Sequence, residues 1–150
     1  MIVLDANLLV YAYDALSPKH REALDCLERV LSGDELVGIP WQTVSAFLRI
    51  VSNPRLFQHS RTIEQAVKVI EFWLEQPNVR LLSPGDQHWS VLRKVLIDGQ
   101  VRGPLVSDAQ LAALTMEYGG VLYSTDRDFA RFAGLRWKNP LEENGGNLSS

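Results

Sequence analysis

Short apolar runs recur along this chain, and between them lie stretches long enough for a helix. The runs fall at residues 2–4, 35–40, 79–83 and 121–125, and a last short strand is read in the more polar stretch 134–140. Strands joined by intervals of a dozen or more residues cannot be a meander of hairpins. Parallel neighbours, by contrast, need a crossover of that length, usually a helix. Runs this short and apolar, rich in Val, Ile and Leu, also suit strands buried on both faces. The pattern therefore predicts an α/β fold, a parallel sheet of four or five strands with helices on both sides. In such sheets, ligands bind beyond the carboxyl ends of the strands, near the point where strand order reverses.

The intervening stretches carry helix signals. In "SPKHREALDCLERVLSG", Ser17 is placed to cap, Pro18 suits a first helical position, and Ala23, Leu24, Leu27, Val30 and Leu31 recur at helical spacing before Gly33. Residues 41–53 read as a helix stopped by Asn53-Pro54. Thr62 opens the clearest amphipathic helix, with Ile63, Ala66, Val67, Ile70, Trp73 and Leu74 on one face. Residues 86–99 and 107–119 complete the set. The second of these is expected to be capped by Ser107 or Asp108 and to pack closely through Ala109, Ala112 and Ala113. Residues 1–141 are expected to form one domain. Residues 142–150, "EENGGNLSS", read as a polar, disordered tail.

A chain of 150 residues can bury about two-thirds of its unfolded surface. No run approaches the ~18 apolar residues of a membrane span, and "MIVLDANLLVYAYD" lacks the basic start of a secretory signal. A cytoplasmic protein without membrane association is expected. Cys26 is the single cysteine, which excludes a disulfide framework and reads as an inert packed thiol. The formal net charge of −3 does not advertise a nucleic-acid partner, although an acidic metal site would itself lower the total.

The acids have a shared context. Asp5 ends the first strand, Asp108 stands at the start of a helix, and Asp126 and Asp128 follow the fourth strand. In a parallel sheet these places lie on one edge. Singly, Asp108 or Asp126 could be only a helix cap, worth about 1 kcal/mol. Asp5 within "VLDANLL" is harder to explain so, because burying a lone carboxylate is costly. Three such positions favour a site. Converging carboxylates repel unless one keeps a proton or a cation neutralises them, and a hard divalent ion takes oxygen ligands of this kind. His20, His59 and His88 stand in separate segments without ligand spacing, so a softer metal is not indicated.

At this point "IVLDANLLVYAYD", "SDAQLAALTMEYGGVLYSTDRDFARF" and "LRWKNPL" resemble the PIN-domain family, and within it the VapC-type toxins of bacterial toxin–antitoxin pairs. "PWQTVSAFLRIVSNPRLF" and "NVRLLSPGDQHWSVLRKVL" fit one branch of that group, so the likeness covers about residues 1–141. The resemblance implies an α/β/α sandwich and an endoribonuclease dependent on Mg²⁺ or Mn²⁺. It also implies a homodimer and a small VapB-like antitoxin as partner. By the same pattern, Asp5, Asp108 and Asp126 are catalytic metal carboxylates, Asp128 is a further acid at the metal, and Asn7 and Thr125 support them. Many PIN nucleases carry a Glu on the helix after the second strand. Here that position falls at Ala46, with neutral Gln42, Thr43 and Ser45 beside it; Glu117 or Asp14 are the available substitutes.

Arg49, Arg127, Arg131 and Arg136 are candidate phosphate contacts. Trp41, Trp73, Trp89 and Trp137 are expected in the core or a dimer interface rather than as stacking platforms. The alternative function is a catalytically weak PIN domain that binds RNA or the antitoxin. Other phosphate-handling folds fit poorly. Ser83-Pro84-Gly85 ends the third strand where a receiver domain needs a phosphoacceptor, Asn7 replaces the second Asp of a dehalogenase-type phosphatase, and no glycine-rich phosphate loop is present.

Overall fold

The computed structural model describes residues 1–142; the tail expected at 142–150 lies, apart from Glu142, outside them. Five strands form one sheet: β1 (Ile2–Leu4), β2 (Val37–Pro40), β3 (Val79–Leu82), β4 (Val121–Tyr123) and β5 (Trp137–Lys138). The order is β3-β2-β1-β4-β5, and every pairing is parallel. Strand order therefore runs outward from β1 to one side and restarts at β4 on the other. The reversal lies between β1 and β4, where Leu4 stands opposite Tyr123.

Among the described residues, six α-helices cover the sheet: α1 (Ala6–Tyr13), α2 (His20–Leu31), α3 (Trp41–Val51), α4 (Ile63–Leu74), α5 (His88–Asp98) and α6 (Leu105–Glu117). Alternation along β1 divides the core in two. Ile2 and Leu4 pack with residues of α1 to α4, around Leu9, Phe47 and Trp73. Val3 points the other way, into a cluster built from α5 and α6 with Phe129 and Phe132. This two-sided burial is what a short all-apolar strand requires.

Several boundaries differ from the sequence reading. α1 is a helix that no polar–apolar alternation announces. Ala6, Leu8, Leu9 and Ala12 are all buried, so its exposed stripe is too narrow to leave an amphipathic pattern. α2 begins at His20 rather than Ser17, because Ser17 Oγ accepts from Lys19 N and its carbonyl from His20 N, closing a separate turn. α6 begins at Leu105. Pro104, with φ near −61°, starts it after Gly103 at φ +56°, so neither Ser107 nor Asp108 is the cap. Thr62 caps α4 as expected, in a reciprocal box with Gln65. Of the four tryptophans, Trp73 is core, whereas Trp41 and Trp89 are 53% and 66% exposed. Both stand in the first turn of a helix.

Candidate active site

The acids gather at the carboxyl edge of the sheet, over the β1/β4 reversal. Asp5 follows β1 directly and caps α1, its Oδ1 accepting from Ala6 N at 2.7 Å. Asp126 follows β4 and caps a 3₁₀ turn (Arg127–Arg131), its Oδ1 accepting from Asp128 N at 2.9 Å. Asp108 sits in the first turn of α6, where the helix dipole favours a negative charge. A carboxylate oxygen that accepts one hydrogen bond keeps a lone pair, so capping and ligation are compatible at Asp5 and Asp126. The capping alternative fails only for Asp108.

Oxygens from Asp108, Asp126 and Asp128 all lie within 4.8 Å of one another. Asp5 stands outside that trio but within its electrostatic reach. Burial raises the Asp5 pKa, hydrogen bonds from Ser124 and Ala6 oppose the rise, and Asp126 adds to it. Burial also pushes Asp108 up to about 6, reinforced by Asp126, Asp5 and Asp128 and eased by Arg131. Among the described residues nothing donates a hydrogen bond to the Asp108 carboxylate. Three convergent carboxylates, one of them reluctant to ionise, form a donor set short of positive charge. Hard oxygen donors with no thiol or imidazole among them fit Mg²⁺ or Mn²⁺.

A residue that the sequence reading overlooked organises this edge. Ser124 is fully buried. Its Oγ donates to Asp5 Oδ2 at 2.7 Å and accepts from Asn7 Nδ2 at 3.1 Å and from Asp126 N at 3.0 Å. One hydroxyl thus uses its single proton and both lone pairs to tie β1, α1 and the β4 loop together. The signal was present, since the two-residue period of the strand puts Ser124 on the buried side with Leu122. Asn7 holds Ser124, and its Oδ1 also receives Thr125 N at a long 3.5 Å. Thr43, also buried, donates to Leu4 O at 2.8 Å and anchors α3 to the end of β1.

Other candidates lie elsewhere. Glu117 is at the far end of α6 from Asp108, its Oε1 accepting from Gly85 N and its Oε2 bonded to His88 Nδ1 at 3.0 Å. Asp14 ends α1 and accepts from Leu16 N. Neither stands in for the carboxylate absent at Ala46. Arg131 is near enough for its charge to ease the rise of the Asp108 pKa. Arg127 instead pairs with Glu142 at 2.8 Å. Arg49 lies in the last turn of α3, roughly 12 Å along the helix from Trp41 at 1.5 Å per residue. Arg136 donates to Gly119 O at the opposite, amino edge of the sheet, which removes it from the cleft.

Comparison with known proteins agrees with this arrangement. The family model described as PIN domain matches residues 2–135. Ribonuclease VapC43 of Mycobacterium tuberculosis is 36% identical over 142 residues, covering 95% of this chain and 97% of that protein. VapBC2 of Rickettsia felis, solved bound to a promoter DNA fragment, superposes with a TM-score of 0.68 at 17% identity, over 92% of this chain and 98% of that one. VapC20 of Mycobacterium tuberculosis, described as a toxin that cleaves the sarcin–ricin loop, superposes with a TM-score of 0.66 at 18% identity, over 91% and 99%. The acids at the reversal of a five-stranded parallel sheet, the matching family model and a relative alike from end to end lead to one assignment: this chain belongs to the PIN-domain family.

Proposed function

We propose that this chain is an endoribonuclease of the VapC type, dependent on Mg²⁺ or Mn²⁺. It would act as the toxin of a toxin–antitoxin pair, as a homodimer in the cytoplasm, with a VapB-like antitoxin as its inhibitor. Residues 1–141 form the catalytic unit. The observation that carries this reading is the convergence of Asp108, Asp126 and Asp128 within 4.8 Å beside Asp5. The names of the VapC relatives support an RNA substrate, and the VapBC complexes among the structural neighbours support the antitoxin.

In this reading Asp108, Asp126 and Asp128 hold the cation and Asp5 completes the negative field around it. Bound there, a divalent cation supplies a Lewis acid for the phosphate oxygens and lowers the pKa of a water. The chain does the rest by positioning. Ser124 and Ala6 N hold both Asp5 oxygens, so the carboxylate is fixed in place before a cation would bind. Asn7 holds Ser124 in the rotamer that does this. Arg131, the guanidinium whose charge Asp108 feels, is placed to meet a phosphate entering the cleft. No helix of the described residues is long and apolar enough to cross a membrane.

The test is cleavage of RNA by the purified chain with Mg²⁺ or Mn²⁺, with EDTA, and with Asp5→Asn. Cleavage that needs the cation and falls by orders of magnitude in Asp5→Asn is expected, since each ~1.4 kcal/mol of lost transition-state stabilisation is tenfold in rate. A folded chain that binds RNA but cuts none, with Asp5→Asn binding equally well, would replace the nuclease with a binding module.

A further inference from the structure

Beside the acidic cleft, at the carboxyl ends of β2 and β3, is a groove of about 210 Å³. Trp41, Pro84 and Leu114 form its apolar walls, and Gln42, Gln110 and His88 bring polar atoms to it. We infer that this groove is a nucleobase subsite, with Trp41 as the platform on which a base next to the scissile phosphate stacks. The inference rests on the nuclease reading above.

Trp41 is the first residue of α3, immediately after buried Pro40, and it is 53% exposed. Its ring is not free to wander. The indole Nε1 donates to Ser83 Oγ at 3.1 Å, which pins the edge of the ring against the end of β3. The loop after β3, to which Trp41 is pinned, is fixed as well. Tyr118 Oη donates to Ser83 O at 2.7 Å, and Glu117 clamps the following loop through Gly85 N at 2.9 Å and His88 Nδ1 at 3.0 Å. A Cβ on Gly85 would fall 2.6 Å from Glu117 Oε1, so any other residue there would displace the Glu117 carboxylate from this clamp. The Glu117–His88 pair, unused at the acids, thus has a purpose: it preforms the groove.

The chemistry of the walls selects the occupant. A flat aromatic face with amides at the margin suits a planar base, which has an apolar face and a polar edge. Glu117, a carboxylate, can only accept, so His88 Nδ1 carries the proton of that bond; the two glutamine amides each offer both donor and acceptor. One wall of the groove is also tied to the helix turn that carries Asp108. Gln42, which lines it, donates from Nε2 to Ser107 O at 2.8 Å, and Ser107 directly precedes Asp108. Neighbouring strands are about 4.8 Å apart, so the ends of β2 and β3 lie roughly 5–10 Å along the edge from Asp5. A strand whose phosphate is at the acids would pass a neighbouring base over Trp41. With a net charge of −3 and Arg127 and Arg136 committed elsewhere, stacking supplies grip that a basic patch would otherwise provide.

The experiment measures binding of short single-stranded RNA homopolymers and of total RNA in the non-cleaving Asp126→Asn chain. The same chain is then compared with Trp41→Ala or Trp41→Phe added. Trp41→Ala should weaken binding about 5- to 150-fold, the usual worth of one stacked base, and Trp41→Phe should recover most of it. RNA should quench the tryptophan fluorescence of the Asp126→Asn chain, and Trp41→Ala should abolish most of that quenching. With Asp126 intact, Trp41→Ala should raise KM and leave kcat nearly unchanged. Equal RNA binding by the Trp41→Ala chain overturns the inference while leaving the nuclease reading in place. So does a loss of antitoxin binding with RNA binding kept, which would give the groove to the protein partner. If the Asp126→Asn chain binds none of these RNAs, the nuclease reading itself has failed.

Discussion

Replacing Asp108 by Asn should make the cation-free protein more stable at neutral pH, the reverse of what removing a well-placed polar group does. The reason is electrostatic. Burial first, and then Asp126, Asp5 and Asp128, raise the Asp108 pKa from 3.8 to about 6. A carboxyl with a raised folded-state pKa holds its proton more tightly in the folded chain than in the unfolded one. Its stabilising contribution is therefore complete below pH 3.8 and lost as pH rises through about 6. Taken at face value, that shift corresponds to about 3 kcal/mol. Asp108 is only half-buried, however, and solvent screening reduces the figure to about 1–1.5 kcal/mol. For a chain of this size, that is about 3–5 °C in Tm. The assay is calorimetry of wild type and Asp108→Asn in EDTA between pH 4 and pH 8, repeated with Mg²⁺ or Mn²⁺. The two should melt together near pH 4 and diverge by pH 7, with Asn the more stable. Added cation should raise the wild-type Tm and leave the variant almost unmoved, because occupancy at 100 Kd stabilises by about 2.7 kcal/mol. A variant less stable than wild type at pH 7, or a gap that does not change with pH, would refute the crowded-carboxylate account.

Other substitutions separate the roles of neighbouring residues. Ser124→Ala should lower stability by about 1–3 kcal/mol in urea unfolding, because Asn7 Nδ2, Asp126 N and Asp5 Oδ2 each lose a buried partner. It should also move the acid limb of the pH–rate profile upward, since the Ser124 hydrogen bond is what holds the Asp5 pKa down against burial. Glu117→Gln should leave the chemical step at the acids unchanged, measured as kcat on RNA, whereas Asp126→Asn should reduce kcat by orders of magnitude. Phe47→Ala should cost about 3–5 kcal/mol, read by chemical denaturation, because Phe47 is fully buried between Tyr13 and Trp73.

What the sequence determined by itself is the class of fold and the stretches that build it. Short apolar runs spaced by helical lengths admit few solutions other than a doubly covered parallel sheet, because the period and the crossover length are local properties of the chain. The positions of Asp5 and Asp126 after strands and of Asp108 at a helix start were legible for the same reason. Tertiary structure decided what no local pattern encodes. α1 escaped notice because a helix buried around most of its circumference carries no polar stripe. The tight trio drew in Asp128 rather than Asp5, because a 3₁₀ turn after β4 swings Asp128 inward while Ser124 ties Asp5 back. Glu117, a free acid on paper, is committed to Gly85 and His88, which lie 32 and 29 positions earlier in the chain. Trp41 and Trp89 are apolar by composition yet stand in solvent, each in the first turn of a helix rather than within the core. Which carboxylates meet, and which aromatic is left open to a ligand, depends on strand order and loop closure, and those are set only when distant segments pack.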